Sequence, residues 1–440
     1  MNTLLKGTLV GGLAGLLFGF DTAVVAGTTQ GLSAAFALDP AALGMTVSSA
    51  LWGTLLGALF AGRPGDRFGA RDCLRAIALL YVVSALGCWL APNLAVLIGA
   101  RVLGGIAIGA SSVLAPIYLA EIAPAQRRGM MVGAFQFNIV LGILVAYLSN
   151  FLVGMLALGA DEWRWKFGVA ALPSLLLFAL VFIIPNSPRW LALKGRRAEA
   201  AEVLRQIGVA DVEGELRQYA HGHGAGTTRL SWRRHRKPML LAVAIAGFNQ
   251  LSGINAILYY SNDIFAAAGF GKVSADLQSV MIGATNLMFT LLALTIIDRV
   301  GRRTLLLIGS VGMATALLAT AAIQISGSGR DLLLWALILF IASFAFSQGA
   351  VVWVYIAEIF PTEVRARGQS LGASTHWLMD AIVAGVFPLM AAGSSGLPFV
   401  FFAAAMVVQF VVVARYFTET RGVTLENMAG VLAQAPAKTA

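Results

Sequence analysis

The heptapeptide GDRFGAR, residues 65–71, comes back as IDRVGRR at 297–303. A second stretch, YLAEIAPAQRRG at 118–129, comes back as YIAEIFPTEVRARG at 355–368. Asp66 maps onto Asp298 at an offset of 232, and Glu121 onto Glu358 at 237. Two separate motifs returning at nearly equal offsets mark an internal duplication. Between and around them run apolar segments long enough to cross the ~30 Å hydrocarbon core of a bilayer. Twelve such spans are expected, about 7–30, 43–62, 73–91, 94–119, 130–155 and 166–184, then 238–268, 277–297, 304–325, 332–356, 370–391 and 397–417. The expected fold is therefore an all-α polytopic membrane protein built from two pseudo-symmetric six-helix halves. Residues 1–184 form the first half, 185–237 a cytoplasmic linker with short helices, and 238–440 the second half with a short tail. Parallel repeats of this kind typify secondary transporters, whose substrate site lies where the repeats meet.

Composition agrees. Hydrophobic residues make up 58% of the 440 and charged residues 12%, about half the ~25% of soluble proteins. The runs are continuous and lack the alternation a barrel strand needs. The net charge of +10 does not point to nucleic acid, because most Lys and Arg flank span ends and no soluble basic domain exists. Counting Lys and Arg in the short loops gives ten on the side of GRPGDRFGARD, EIAPAQRRG, DRVGRR and EIFPTEVRARG, and four on the other. By the positive-inside rule the first side is cytoplasmic, which puts both termini there. Cys73 and Cys88, roughly 22 Å apart on one helix, cannot bond to each other. No cleavable signal is expected at the N-terminus. The absence of any N-x-Ser/Thr sequon points to a bacterial source and its inner membrane. In the linker, GRRAEAAEVLRQIG (195–208) reads as an amphipathic helix. His221 and His223 in HGHGAGTT read as part of a flexible loop, without partners for a metal. No cofactor is expected.

Two charges stand inside the spans. GGLAGLLFGFDTAVVAG (Gly11–Gly27) is a span interrupted by Asp21, whose ionised form near the bilayer centre costs roughly 2.5–3.5 kcal/mol. Arg101, in LIGARVLGG, lies about 12 Å in from Asn93, and Asp21 about 14 Å in from Gln30. At one depth the two can pair. That leaves two readings, a permanent salt bridge between helices or a proton site whose pair opens on protonation.

A second set consists of amides on apolar helices: Gln136, Asn249, Gln250, Asn255 and Asn286. Each must face a partner helix or a wet cavity. Uncharged donors and acceptors beside an aromatic face suit a neutral polyhydroxylated ligand, and Trp353 is the candidate for that face. Interhelical hydrogen bonding is the competing role for any one amide. A third set sits at inner span ends: Asp66, Arg67, Arg71, Glu121 and Arg128, with their repeats Asp298, Arg299, Arg302, Glu358 and Arg365. Topogenesis accounts for the arginines. The repeated acids suggest interhelical ion pairs that hold an outward-open state.

In order along the chain come FGFDTAVVAG, DRFGARD, RVLGGIAIG, PIYLAEIAPAQRRG, WRWKFG, NSPRWL, NQLSGINAILYYS, DRVGRR, WVYIAEIFPTEVRARG and TETRGVTLENM. This ordered set resembles the sugar porter family of the major facilitator superfamily, over nearly the whole chain. Departures are Ala70 for an Arg, Asn186 for a Glu, Thr418 for a Pro, and QGAVVW without the prolines that usually precede its Trp. The resemblance implies sugar contacts at Gln136, Gln250, Asn255, Asn286 and Trp353, with Phe18 and Tyr259 lining the site and Tyr260 at a gate. Asn249 stands for a common Gln. His376, just before Trp377 of the same site, stands where Asn or Gln is usual, with Asp380 one turn on as a partner for its ring. In that family an acid at the position of Asp21 marks proton-coupled members.

These readings converge on proton-coupled uptake of a monosaccharide, a hexose such as glucose, by alternating access in a chain that works as a monomer in the lipid bilayer. A facilitative sugar uniporter and a non-transporting sugar sensor are the alternatives. A drug antiporter is disfavoured because FQFNIVLGILVAYL lacks a Gly-Pro pair. An enzyme is disfavoured because no nucleophile–base set or metal spacing appears.

Overall fold

The computed structural model describes residues 3–124, 127–221, 230–361 and 363–422, without the side chains of 128, 220 and 221. The side chains of Arg128 and His221, all of His223, and the tail beyond 422 therefore lie outside the described residues. Those described are helical or in connecting turns, with no strand among them. Eleven helices in the described residues are long and apolar enough to cross a membrane. The chain divides into two compact units, Met1–Ala225 and Gly226–Ala440.

In the first unit the spans are Thr3–Val24, Pro40–Phe60, Ala70–Trp89, Leu94–Ile122 and Arg128–Met155. Lipid supplies no hydrophobic drive for helices to associate, so close backbone approach has to. The second and fourth spans achieve it with paired glycines. A Cβ added to Gly105 would stand 1.8 Å from the Ala50 carbonyl oxygen, and one on Gly109 2.0 Å from that of Thr54. The sixth span, expected as one helix over 166–184, is instead two, Glu162–Gly168 and Ala171–Leu180. Pro173 explains the break: it has no N–H for the Val169 carbonyl, which takes the Leu172 N–H at 3.2 Å instead.

The segment after Leu180 belongs to this first unit. Helices Pro188–Leu193, Arg197–Gln206 and Val212–His221 share a small core of Leu191, Ala200, Leu204, Ile207 and Leu216. The middle helix is amphipathic, as its spacing suggests. On its outer face Arg196 forks onto Glu199 at 2.6 Å, and that hydrogen bonding holds the Glu199 carboxyl below its usual range.

The second unit repeats the plan with more interruptions. Its seventh span, expected over 238–268, is three helices: Trp232–Leu251, Ile254–Tyr259 and Ser261–Ala267. Gly253 makes the first break with φ +82°, and a Cβ there would lie 2.2 Å from Phe402 Cδ2. Only glycine meets both conditions. Tyr260 makes the second break. The eighth and ninth spans, Lys272–Val300 and Arg302–Ser326, are continuous. The tenth carries a π turn, Ala345–Gly349, between Leu333–Phe344 and Ala350–Ile359. Its last two residues, Gln348 and Gly349, begin QGAVVW, where the prolines are missing. Arg365–Gly393 and Leu397–Tyr416 complete the unit.

Candidate functional site

In the first unit, Asp21 lies near the end of the first span and lines a small cavity with Leu17, Phe20, Tyr81, Ser84 and Phe167. Tyr81 is fixed there by a 3.0 Å hydrogen bond with Ser111. Arg101, only 3% exposed, comes from the fourth span and lays its guanidinium 5.4 Å from the Phe167 ring centroid. It is near enough to act on Asp21 electrostatically. Direct pairing, the expectation from their equal depths, is not what the structure has. Among the described residues no ion pair joins the two, and Arg101 Nε and Nη1 are buried without hydrogen-bond partners. An expected equal depth speaks only to height and not to the distance across the bundle, and Phe167 takes the arginine's flat face. Gln136 is exposed on the fifth span, and Phe18 is partly buried against the core of this unit.

In the second unit the broken seventh span delivers the amides. Gln250 and Asn249 close its first helix, and Asn255 and Tyr259 follow on the short second one. Gln250, fully buried, donates from Nε2 to Asn249 Oδ1 at 3.3 Å and meets the His376 ring at 3.0 Å. Its Oε1 accepts from Asn255 Nδ2 at 3.2 Å. The His376 ring lies 5.0 Å from those of Trp353 and Trp377. Trp353 is 40% exposed, so buried amides sit beside one accessible indole. Asn286 is buried on the eighth span. The geometry thus gathers Asn249, Gln250, Asn255, Tyr259, Trp353, His376 and Trp377 within this unit. The ring of His376 is served by Gln250, not by Asp380. Asp380 takes Asn255 Nδ2 at 2.9 Å and the Tyr259 hydroxyl at 3.1 Å on one oxygen. Tyr260 donates to the Ala384 carbonyl at 2.9 Å and stacks on Phe387 at 4.9 Å.

The repeated charge motifs at the span ends differ between the units. In the second, Arg302 bridges Asp298 and Glu358, each at 2.9 Å. Glu358 also accepts from the Thr420 hydroxyl at 2.6 Å. Glu419 caps the start of the ninth span through the N–H groups of Arg302 and Arg303, where the helix dipole favours an anion. Arg299 is exposed and Arg365 opens the eleventh span. In the first unit the counterpart of Arg302 is Ala70, and among the described residues no ion pair forms on Glu121 or Asp66. Glu121 lies near Ser187 and Arg189. Asp66 offers its carbonyl to Trp190 Nε1 at 3.1 Å. Arg71 turns to Asp72 at 3.0 Å, and Arg67 lies over the Phe68 ring. Glu419 and Thr420 stand inside the quoted TETRG motif, yet their acceptor and donor roles depend on a chain return that spacing does not reveal.

A family model described as "Sugar (and other) transporter" matches residues 7–432. The chain is 32% identical to the D-xylose-proton symporter of Escherichia coli K12, covering 96% of this chain and 94% of that one. It is 35% identical to the glucose transporter GlcP of Staphylococcus epidermidis, covering 96% and 95%. The inward-open structure of the xylose transporter XylE from E. coli superposes with a TM-score of 0.87 at 31% identity, covering 97% of this chain and 99% of that one. Duplicated six-span halves, a broken seventh span bearing amides and repeated charge motifs at span ends are thus the features of a multi-pass membrane protein belonging to the sugar porter family of the major facilitator superfamily.

Proposed function

We propose that this chain carries a monosaccharide into the cell together with a proton by alternating access, with a hexose such as glucose as its cargo. Relatives named for D-xylose with a proton and for glucose support the class. The observation that carries the coupling is the open Asp21–Arg101 arrangement. A bridge serving only to pin two helices would be closed, whereas here Asp21 faces a cavity and Arg101 keeps two unsatisfied nitrogens. Protonation of Asp21 removes its attraction for Arg101, and release of the proton restores it. In the second unit, Gln250, Asn255, Asn249, His376 and Asn286 serve sugar hydroxyls, Trp353 and Trp377 cover the apolar ring face, and Tyr259 lines the site. Phe18 and Gln136 are the sugar-contacting candidates of the first unit, and Tyr260 acts as a gate. The inner charge set favours the outward-open state. The protein works as a monomer in a bacterial inner membrane with both termini in the cytoplasm.

The test is uptake of a panel of labelled sugars by proteoliposomes, with and without an inward proton gradient. Accumulation of a hexose above its outside concentration only with the gradient is the expected result. Equilibration that ignores the gradient would make the chain a facilitator, and indifference to every sugar would remove the cargo assignment.

A further inference from the structure

Asp380 is an acid deep within a span, and the proposed coupling through Asp21 gives it no role. It is 0% exposed in the middle of the eleventh span, Arg365–Gly393. Its Oδ2 accepts two hydrogen bonds, from Asn255 and Tyr259, while its Oδ1 is buried with no hydrogen-bond partner. No cation answers this carboxyl among the described residues. The seventh span faces it with Asn255 and Tyr259, and its own basic residues sit at the far end, 233–237. Of the tenth span's titratable groups, Glu358 is held by Arg302 and Thr420, and the Tyr355 hydroxyl donates to the Thr418 carbonyl. Arg415 lies in the last turn of the twelfth span. On its own helix the neighbour is His376, one turn back and engaged by Gln250. Tyr260 is spent on Ala384.

We propose that Asp380 is a ligand-contacting proton site of the second unit: its Oδ1 holds a proton and donates it in a hydrogen bond to an oxygen of the bound sugar. An ionised carboxylate without a counter-ion is strongly disfavoured in such surroundings, and taking a proton from water removes the charge. The position of the proton follows from the hydrogen bonds. Oδ2 already receives two donors, so the proton sits on Oδ1. That atom then adds a donor beside the Gln250 and Asn255 amide N–H groups, which are committed to neighbours. No bond other than O–H forms or breaks. The inference rests on the monosaccharide reading for its ligand, and only on the described side chains for its proton.

The experiment uses the full chain in lipid nanodiscs, in an Asp21→Asn background so that any remaining pH dependence belongs elsewhere. Glucose and xylose affinities are measured from acid to alkaline pH. Affinity should fall about tenfold as the acid ionises, the worth of one hydrogen bond. Adding Asp380→Asn, which puts an N–H where the O–H was, should make the profile flat. Adding Asp380→Leu should weaken binding about tenfold at acid pH. A slope that survives Asp380→Asn, or undiminished binding by Asp380→Leu, overturns the proposal. Infrared spectra without sugar give an independent readout: a protonated-carboxyl band should be present in the Asp21→Asn protein and absent once Asp380→Asn is added. Should neither sugar bind at all, the monosaccharide reading fails, and the band alone upholds or overturns the proton site.

Discussion

Asp21→Asn separates coupling from architecture more sharply than any other change. The amide keeps the shape of the carboxyl and mimics its protonated state permanently. Breaking a closed buried ion pair typically costs 3–5 kcal/mol. Here Arg101 is already out of ion-pair contact and lies over Phe167, so the loss of stability should stay below that range. The functional loss should be large. A proton entering across 100 mV releases about 2.3 kcal/mol, which sustains roughly fifty-fold accumulation at ~1.4 kcal/mol per factor of ten. In Asp21→Asn that ratio should fall to one, because the empty carrier has no proton to release before it returns. Exchange of labelled for unlabelled sugar should persist, because the loaded form can still reorient. The assay is paired: counterflow and proton-driven uptake in the same vesicles. Undiminished uphill accumulation would refute the reasoning and return Asp21 to a structural role.

Three further outcomes follow from described contacts. Trp353→Ala and Gln250→Ala should each weaken sugar binding by about 1–3 kcal/mol in equilibrium binding, and wild-type affinity in both would place the ligand elsewhere. Gly253→Ala should lower thermal stability by at least about 1–2 kcal/mol from its left-handed backbone alone, and weaken binding by shifting Asn255 and Tyr259; an unchanged melting curve would count against the break as drawn. Arg302→Ala should cost about 1–3 kcal/mol, since the half-buried Glu358 would keep Thr420 but lose its cation. Glu121→Gln, with no ion pair to lose, should change stability by less than ~0.5 kcal/mol, and equal losses in the two variants would contradict the asymmetry of the units.

The duplication and the span count could be read from sequence because both rest on long apolar runs and on charged motifs that repeat. What sequence could not place was the interruption of helices. Pro173 sits in the third position of a helix, where it breaks one span into two, and by pattern alone it reads as an ordinary residue inside a run. Gly253 reads the same way among 48 glycines, and its role depends on Phe402, far along the chain. Partner choice was similarly hidden. The neighbours of His376 within its helix favoured Asp380, but the tertiary fold gives the ring to Gln250. The expected depth match of Asp21 and Arg101 is a one-dimensional statement and says nothing about the Phe167 ring that takes up the guanidinium. The repeated charge motifs showed the opposite case: Ala70 was visible as a departure, and its effect became visible only beside the closed network around Arg302.

The π turn at 345–349 also bears on how the tenth span can be compared with anything else. Such a turn accommodates one residue beyond the α-helical register, and one residue corresponds to about 100° of rotation. Everything from Ala350 to Ile359 is therefore phased differently from Leu333 to Phe344. That phase is what sets the Trp353 ring 5.0 Å from His376. A single-residue deletion within the turn would heal the helix and leave its hydropathy intact, yet swing Trp353 to another side of it. Gapless alignment of this stretch with a relative that lacks the turn would match residues facing different directions, so tolerance to insertion and deletion here is governed by angle more than by length.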